Sequence, residues 1–147
     1  MQVLFMSKKK NDNINIEIQF RSIEILDVNI ALQTIHNTNI FTFDISTEIQ
    51  LNKDNKFIIV IIGIKISNES KEVEFGGLKV SNVFYIGNYE QVVTEDKHGR
   101  VSLPESFTVM VNSISLSTTR GVMWNTFKGT MLHNAILPIL DPKPTSL

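Results

Sequence analysis

Residues 57–67, FIIVIIGIKIS, leave this chain few ways to fold. Successive side chains of a strand point to opposite faces, so Ile58, Val60, Ile62, Ile64 and Ile66 share one side. Phe57, Ile59 and Ile61 share the other, before Gly63, Lys65 and Ser67 turn it polar. A strand apolar on both faces for half its length belongs in the middle of a sheet, covered on one face and partly covered on the other. At an edge it would template aggregation.

Its neighbours follow from the same periodicity. Phe41, Phe43, Ile45, Thr47, Ile49 and Leu51 alternate with polar residues, and Asn52-Lys53-Asp54-Asn55 supplies turn chemistry, which predicts a hairpin over 41–67. Upstream, Ile14, Ile16, Ile18 and Phe20 alternate until the phase slips at Ser22, and Ile23 and Ile25 continue on the opposite parity. Such a slip predicts a bulge or break near Arg21–Ser22. A connection over 29–40 carries Ala31, Leu32, Ile35 and Ile40. Residues 68–72 form a second turn, and 73–86 read as a fourth strand interrupted at Gly76-Gly77. Residues 88–100 are polar, with His98-Gly99 at a tip.

From Ser102 the pattern becomes helical, with Ser102 placed to cap, Pro104 at an early position and Glu105 near the positive end of the dipole. Leu103, Phe107, Met110, Val111 and Ile114 share one face, while Val109, Leu116 and Met123 form a second stripe opposite. Two apolar sides call for two partners: the chain's own sheet, and a second copy meeting Val109, Leu116 and Met123. Ser113 to Thr119 contains poor helix formers, and a strand is the alternative there.

The helix is expected to end at Arg120-Gly121, followed by an apolar run and an extended tail reaching Leu137-Pro138-Ile139. This order, after strands with no helix among them, resembles the C-terminal part of the SecB export-chaperone family. The reading is thus an α+β fold: a four-stranded antiparallel sheet with one long helix packed on it and an extended C-terminal segment, SecB-like. Residues 1–13 form a mobile N-terminal arm and 14–147 a single domain.

The resemblance implies an ATP-independent holdase that binds unfolded polypeptides for protein export, works as a homodimer or homotetramer, and uses no cofactor. It implies a client groove lined by Leu32, Ile35, Ile40, Met123, Trp124, Phe127, Met131 and Leu132. It also implies that outer acidic residues, Glu24, Asp27, Glu69 and Glu72, contact the secretion motor. Around Trp124 the residues themselves leave two readings open, a cap on the core or an adaptable apolar groove. The family's second helix has no counterpart here, because Pro138, Pro142 and Pro144 forbid a long terminal helix. Two further readings stand beside the export holdase: a dedicated chaperone of one client, such as an antitoxin, and a small oligomeric interaction protein without chaperone activity.

Composition agrees. No cysteine among 147 residues means no disulfide framework and no thiolate chemistry, as expected of a reducing, cytoplasmic home. A net charge of −1 with scattered lysines argues against nucleic acid, and Lys8-Lys9-Lys10 reads as a solvated run. The longest apolar run, 57–64, is far shorter than the ~20 residues a membrane span needs. His36, His98 and His133 are far apart and no serine elbow is present, so neither a metal site nor an enzyme is expected.

Overall fold

The computed structural model describes residues 15–31 and 40–140. Along the chain run β1 (Ile18–Ile30), β2 (Thr42–Asn52), β3 (Phe57–Ser67), β4 (Glu74–Ile86), the single turn α1 (Tyr89–Val92), β5 (Thr94–Glu95), β6 (Val101–Ser102) and α2 (Glu105–Phe127). The four long strands form one antiparallel sheet in the order β1-β4-β3-β2. Three hairpin-connected strands lie side by side and β1 joins beyond the last, a Greek key traced backwards.

The doubly apolar strand, β3, is central as its pattern demands. Ile58, Val60, Ile62, Ile64 and Ile66 are almost completely buried beneath α2. Their partners in β4, namely Phe84, Val80 and Leu78, extend the same floor. Each such side chain contributes about 1.5–3 kcal/mol when fully buried. The opposite face of β3, with Phe57, Ile59 and Ile61, is only half-buried.

The anticipated slip in β1 is a bulge between Phe20 and Ser22, and a second one, between Ile25 and Asp27, follows. Each bulge inserts a residue, so apolar residues at even, then odd, then even positions all stay on one face. Ile18, Phe20, Ile23, Ile25, Val28 and Ile30 lie opposite Ile86, Phe84, Asn82, Val80, Leu78 and Gly76, on the side where α2 packs. Gly76 is required there: a Cβ would strike the Asn29 carbonyl and the Leu132 side chain.

The helix departs from expectation at both ends. Ser102 does not cap it; its hydroxyl lies 2.8 Å from the Thr94 hydroxyl in the β5–β6 hairpin, and Pro104 stands at the N-cap position. The helix also runs through Gly121 to Phe127, and Gly129, with φ +78°, ends it. A glycine in an exposed helix costs only about 1 kcal/mol. Burial of Met123 and Phe127 beyond it offsets that cost. The strand alternative for 113–119 is thereby excluded.

The face turned to the sheet carries Phe107, Val111, Ser115, Thr119, Met123 and Phe127 at four-residue steps. Met123 therefore belongs to the sheet side, correcting its assignment to a rear stripe. Val109 and Leu116 are half-buried, and Leu116, Met110, Ile114 and Val122 flank the core. Ser115 and Thr119 are fully buried, and among the described residues their hydroxyls, like the side-chain oxygen of buried Asn82, have no hydrogen-bond partner.

Candidate peptide-binding surface

One helix is about 10 Å across and strands are spaced by about 4.8 Å, so a single helix covers two strands, not four. Here α2 lies on β3 and β4. On β2 the apolar face (Phe43, Ile45, Ile49, Leu51) still reaches the core and is half-buried. On β1 it does not. Phe20, Ile23, Ile25, Val28 and Ile30 keep 37–49% of their surface exposed, a continuous apolar stripe beside the helix. Isolated exposed apolar residues are ordinary, whereas five along one strand face make a candidate binding surface. The stripe ends in Phe20, whose ring lies 4.6 Å from that of Phe84.

At the far end of this stripe the chain after α2 returns to the sheet. Leu132 packs against Gly76 beside Ile30. Beyond it, Ala135 and Leu137 are buried while Ile136, Ile139 and Leu140 face outward. Arg120 fixes this tail: its Nε donates to the Leu137 carbonyl at 2.8 Å and Nη2 to the Pro138 carbonyl at 2.9 Å. The Arg-Gly and Leu-Pro pairs, separate in sequence, are thus joined in space.

Of the residues expected to line a groove, Trp124, Met131 and Ile40 are exposed. The Trp124 ring carries the Lys128 ammonium 5.5 Å from its centroid. Met123, Phe127 and Leu132 are completely buried and present no surface, a correction that follows from their place between helix, tail and sheet. Leu32 and Ile35 lie outside the described residues, as do the N-terminal arm and His36. What sequence reasoning missed is β1 itself. Its apolar residues look like core, and only the width of the sheet relative to one helix leaves them open.

The acidic residues do not converge. Glu24 and Asp27 stand on the opposite face of β1, level with Ser81 and Lys79, whereas Glu69 and Glu72 sit in the β3–β4 turn; all four are exposed. That opposite face also holds an open depression of about 380 Å³, lined by Asp27, Asp44, Ser46, Gly63, Lys65 and Lys79. Its lining is charged, with Lys71 paired to Asp44 at 2.8 Å and Lys65 near Glu74 at 3.8 Å. In the β5–β6 turn the Arg100 backbone N–H bonds the Asp96 carboxylate and holds it below its usual range, with the His98 N–H adding to the effect. Burial raises the Tyr89 phenol, and neighbouring Glu90 adds to this. No group of three or more metal-ligating side chains occurs among the described residues. No helix among them is long and apolar enough to cross a membrane.

The chain matches no family model and no curated protein sequence. Among solved structures its fold is that of a SecB-like protein. It is similar to the SecB-like chaperone Rv1957 of Mycobacterium tuberculosis, solved with a ChAD peptide from the Rv1956 HigA1 antitoxin. That likeness has a TM-score of 0.52 at 16% identity, covering 84% of this chain and 90% of that one. A protein of unknown function from Streptococcus agalactiae is matched more weakly, with a TM-score of 0.41 and 7% identity over 78% of this chain and 90% of that one.

Proposed function

We propose that this chain is an ATP-independent chaperone that holds extended apolar segments of unfolded polypeptides. The observation that carries the reading is the uncovered apolar face of β1; the half-exposed Trp124 and Met131 are further apolar surface. Aliphatic, aromatic and methionine side chains on an open surface accept many sequences, because they bury area without demanding particular polar partners. The SecB-like fold supports the same reading. In this proposal the chaperone acts in the cytoplasm as a homo-oligomer without a cofactor and performs no chemistry on its client. Delivery to a secretion motor would use the exposed Glu24, Asp27, Glu69 and Glu72.

A dedicated chaperone of one partner is the second reading. It is favoured by the antitoxin peptide bound to the mycobacterial protein of the same fold. Both are tested by light scattering of unrelated proteins diluted from denaturant, without nucleotide. A general holdase suppresses aggregation across the set at near-stoichiometric amounts, and a dedicated one protects a single partner and fails on the rest. No protection of any client by an excess of chaperone removes both and leaves the interaction protein without chaperone activity.

A further inference from the structure

The first six residues, MQVLFM, hold five apolar side chains, and the next seven, SKKKNDN, hold none. An apolar hexapeptide on a polar tether thus stands shortly ahead of β1, the strand whose face towards α2 is uncovered. Water is a poor solvent for both, and each is the other's nearest apolar partner along the chain. The tether suits a reversal, since Asn11-Asp12-Asn13 carries the same turn chemistry as the β2–β3 connection. Charge favours the same path. Where β1 begins, the Glu17 N–H donates to the Asn88 side-chain oxygen at 3.0 Å, and the Gly87 N–H donates to the Glu17 carbonyl at 2.8 Å. These bonds bring the exposed Glu17 and Glu90 to one end of the sheet, and Lys8, Lys9 and Lys10 of the tether are opposite in sign.

We propose that this hexapeptide folds back onto the α2 side of β1 and covers the half of the stripe nearest the chain start, as a built-in competitor of the client. Length sets how far the cover extends. The ten residues from Asn15 back to Phe5 reach at most about 36 Å. Along β1 each residue rises about 3.3 Å and each bulge takes up one, so Ile23 lies roughly 23 Å from Asn15 and Ile30 roughly 43 Å. Phe20, Ile23 and Ile25 are within range, and Ile30 is not. The cover competes by proximity, because a short flexible tether holds its end at an effective concentration on the order of millimolar. A short apolar peptide is thereby kept off. A long unfolded chain instead lands on the open end at Val28 and Ile30 and displaces the hexapeptide step by step. This role as a gate that sets the shortest client accepted rests on the chaperone reading; the cover itself does not.

The chain contains no cysteine, so two introduced thiols report the cover directly. In the full-length protein, Phe5→Cys with Ile23→Cys, oxidised mildly at micromolar concentration, is expected to give a bond within one chain, seen as a faster band on non-reducing gels. Such a bond requires the two Cα atoms to come within about 7 Å. Phe5→Cys with Ile30→Cys is expected to give none, since that site is out of reach. Leu4→Ser with Phe5→Ser strips the cover of its apolar centre. This double variant should raise the fluorescence of added anilinonaphthalene sulfonate about twofold and tighten binding of a labelled Leu- and Phe-rich peptide of about ten residues about fivefold. Equal bonding at 23 and 30, bonds between copies only, or dye and peptide binding unchanged by the double variant overturns the cover. Aggregation suppression by wild type and double variant is measured alongside. A bond at 23 without suppression by either overturns the chaperone reading alone, and suppression with no bond at 23 overturns the cover alone.

Discussion

The two edge strands, β1 and β2, carry the same kind of apolar face towards the helix and meet different fates. On β2, Phe43, Ile45, Ile49 and Leu51 pack against the core. On β1, Phe20, Ile23, Ile25, Val28 and Ile30 remain open to solvent. Composition does not separate them; the position of one helix across a sheet too wide for it does. The lesson is that β2 completes the core, whereas the same kind of apolar face on β1 is left open.

Charging each strand in turn is the sharpest way to break this contrast. Ile49→Asp on β2 should cost about 2 kcal/mol, because it sets a carboxylate in a half-buried apolar site against β3. Ile25→Asp on β1 should change stability by less than about 1 kcal/mol. Urea titrations followed by circular dichroism decide this, and equal losses would erase the distinction. In the proposed client assay the order reverses: Ile25→Asp weakens peptide binding about tenfold or more, as loss of a central apolar contact does.

Two more local effects sharpen the account of the helix and tail. Arg120→Ala removes two charge-assisted bonds to the tail carbonyls and should cost about 1.5–3 kcal/mol locally. Limited proteolysis after residue 130 reports it, and an unchanged digest would mean the tail holds without the clamp. Thr119→Val replaces a buried, unpartnered hydroxyl with a methyl of the same shape and should be neutral or stabilising by up to about 1 kcal/mol.

The smallest effect lies farthest from both strands. The native Asp96 carboxyl sits below its unfolded value, so it favours the folded turn above the unfolded value and loses that effect as pH falls through the lowered one. Amide-exchange protection at His98 and Arg100, taken relative to the intrinsic rate at each pH, should therefore fall selectively at acid pH, and Asp96→Asn should abolish that dependence.

Much of this architecture is legible in the residues. The β2–β3 hairpin, the central place of β3 and the bulge after Phe20 all follow from period-two alternation and its slip. The second bulge was hidden because Ile25 and Leu26 are both apolar, so the parity change leaves no gap. The helix was recognisable from its start as far as Arg120. Ser115 and Thr119 occupy the sheet-facing stripe and interrupt its hydrophobic period, which shifted Met123 to the wrong side, while the Arg120-Gly121 pair reads as a helix end that the burial of Met123 and Phe127 overrides. Of the residues that the resemblance places along a groove, Trp124, Met131 and Ile40 are exposed. The open face of β1 was not legible, since its exposure depends on strand order and helix placement.

The central claim is that unfolded polypeptide is held on the uncovered face of β1 and not on its covered counterpart. A photoreactive side chain at Ile25, compared with one at the exposed Thr47 of β2, tests it on folded protein mixed with a radiolabelled unfolded client. Cross-linking at 25 and little at 47 is the expected result. Equal labelling at both positions, or labelling at 47 alone, would contradict it.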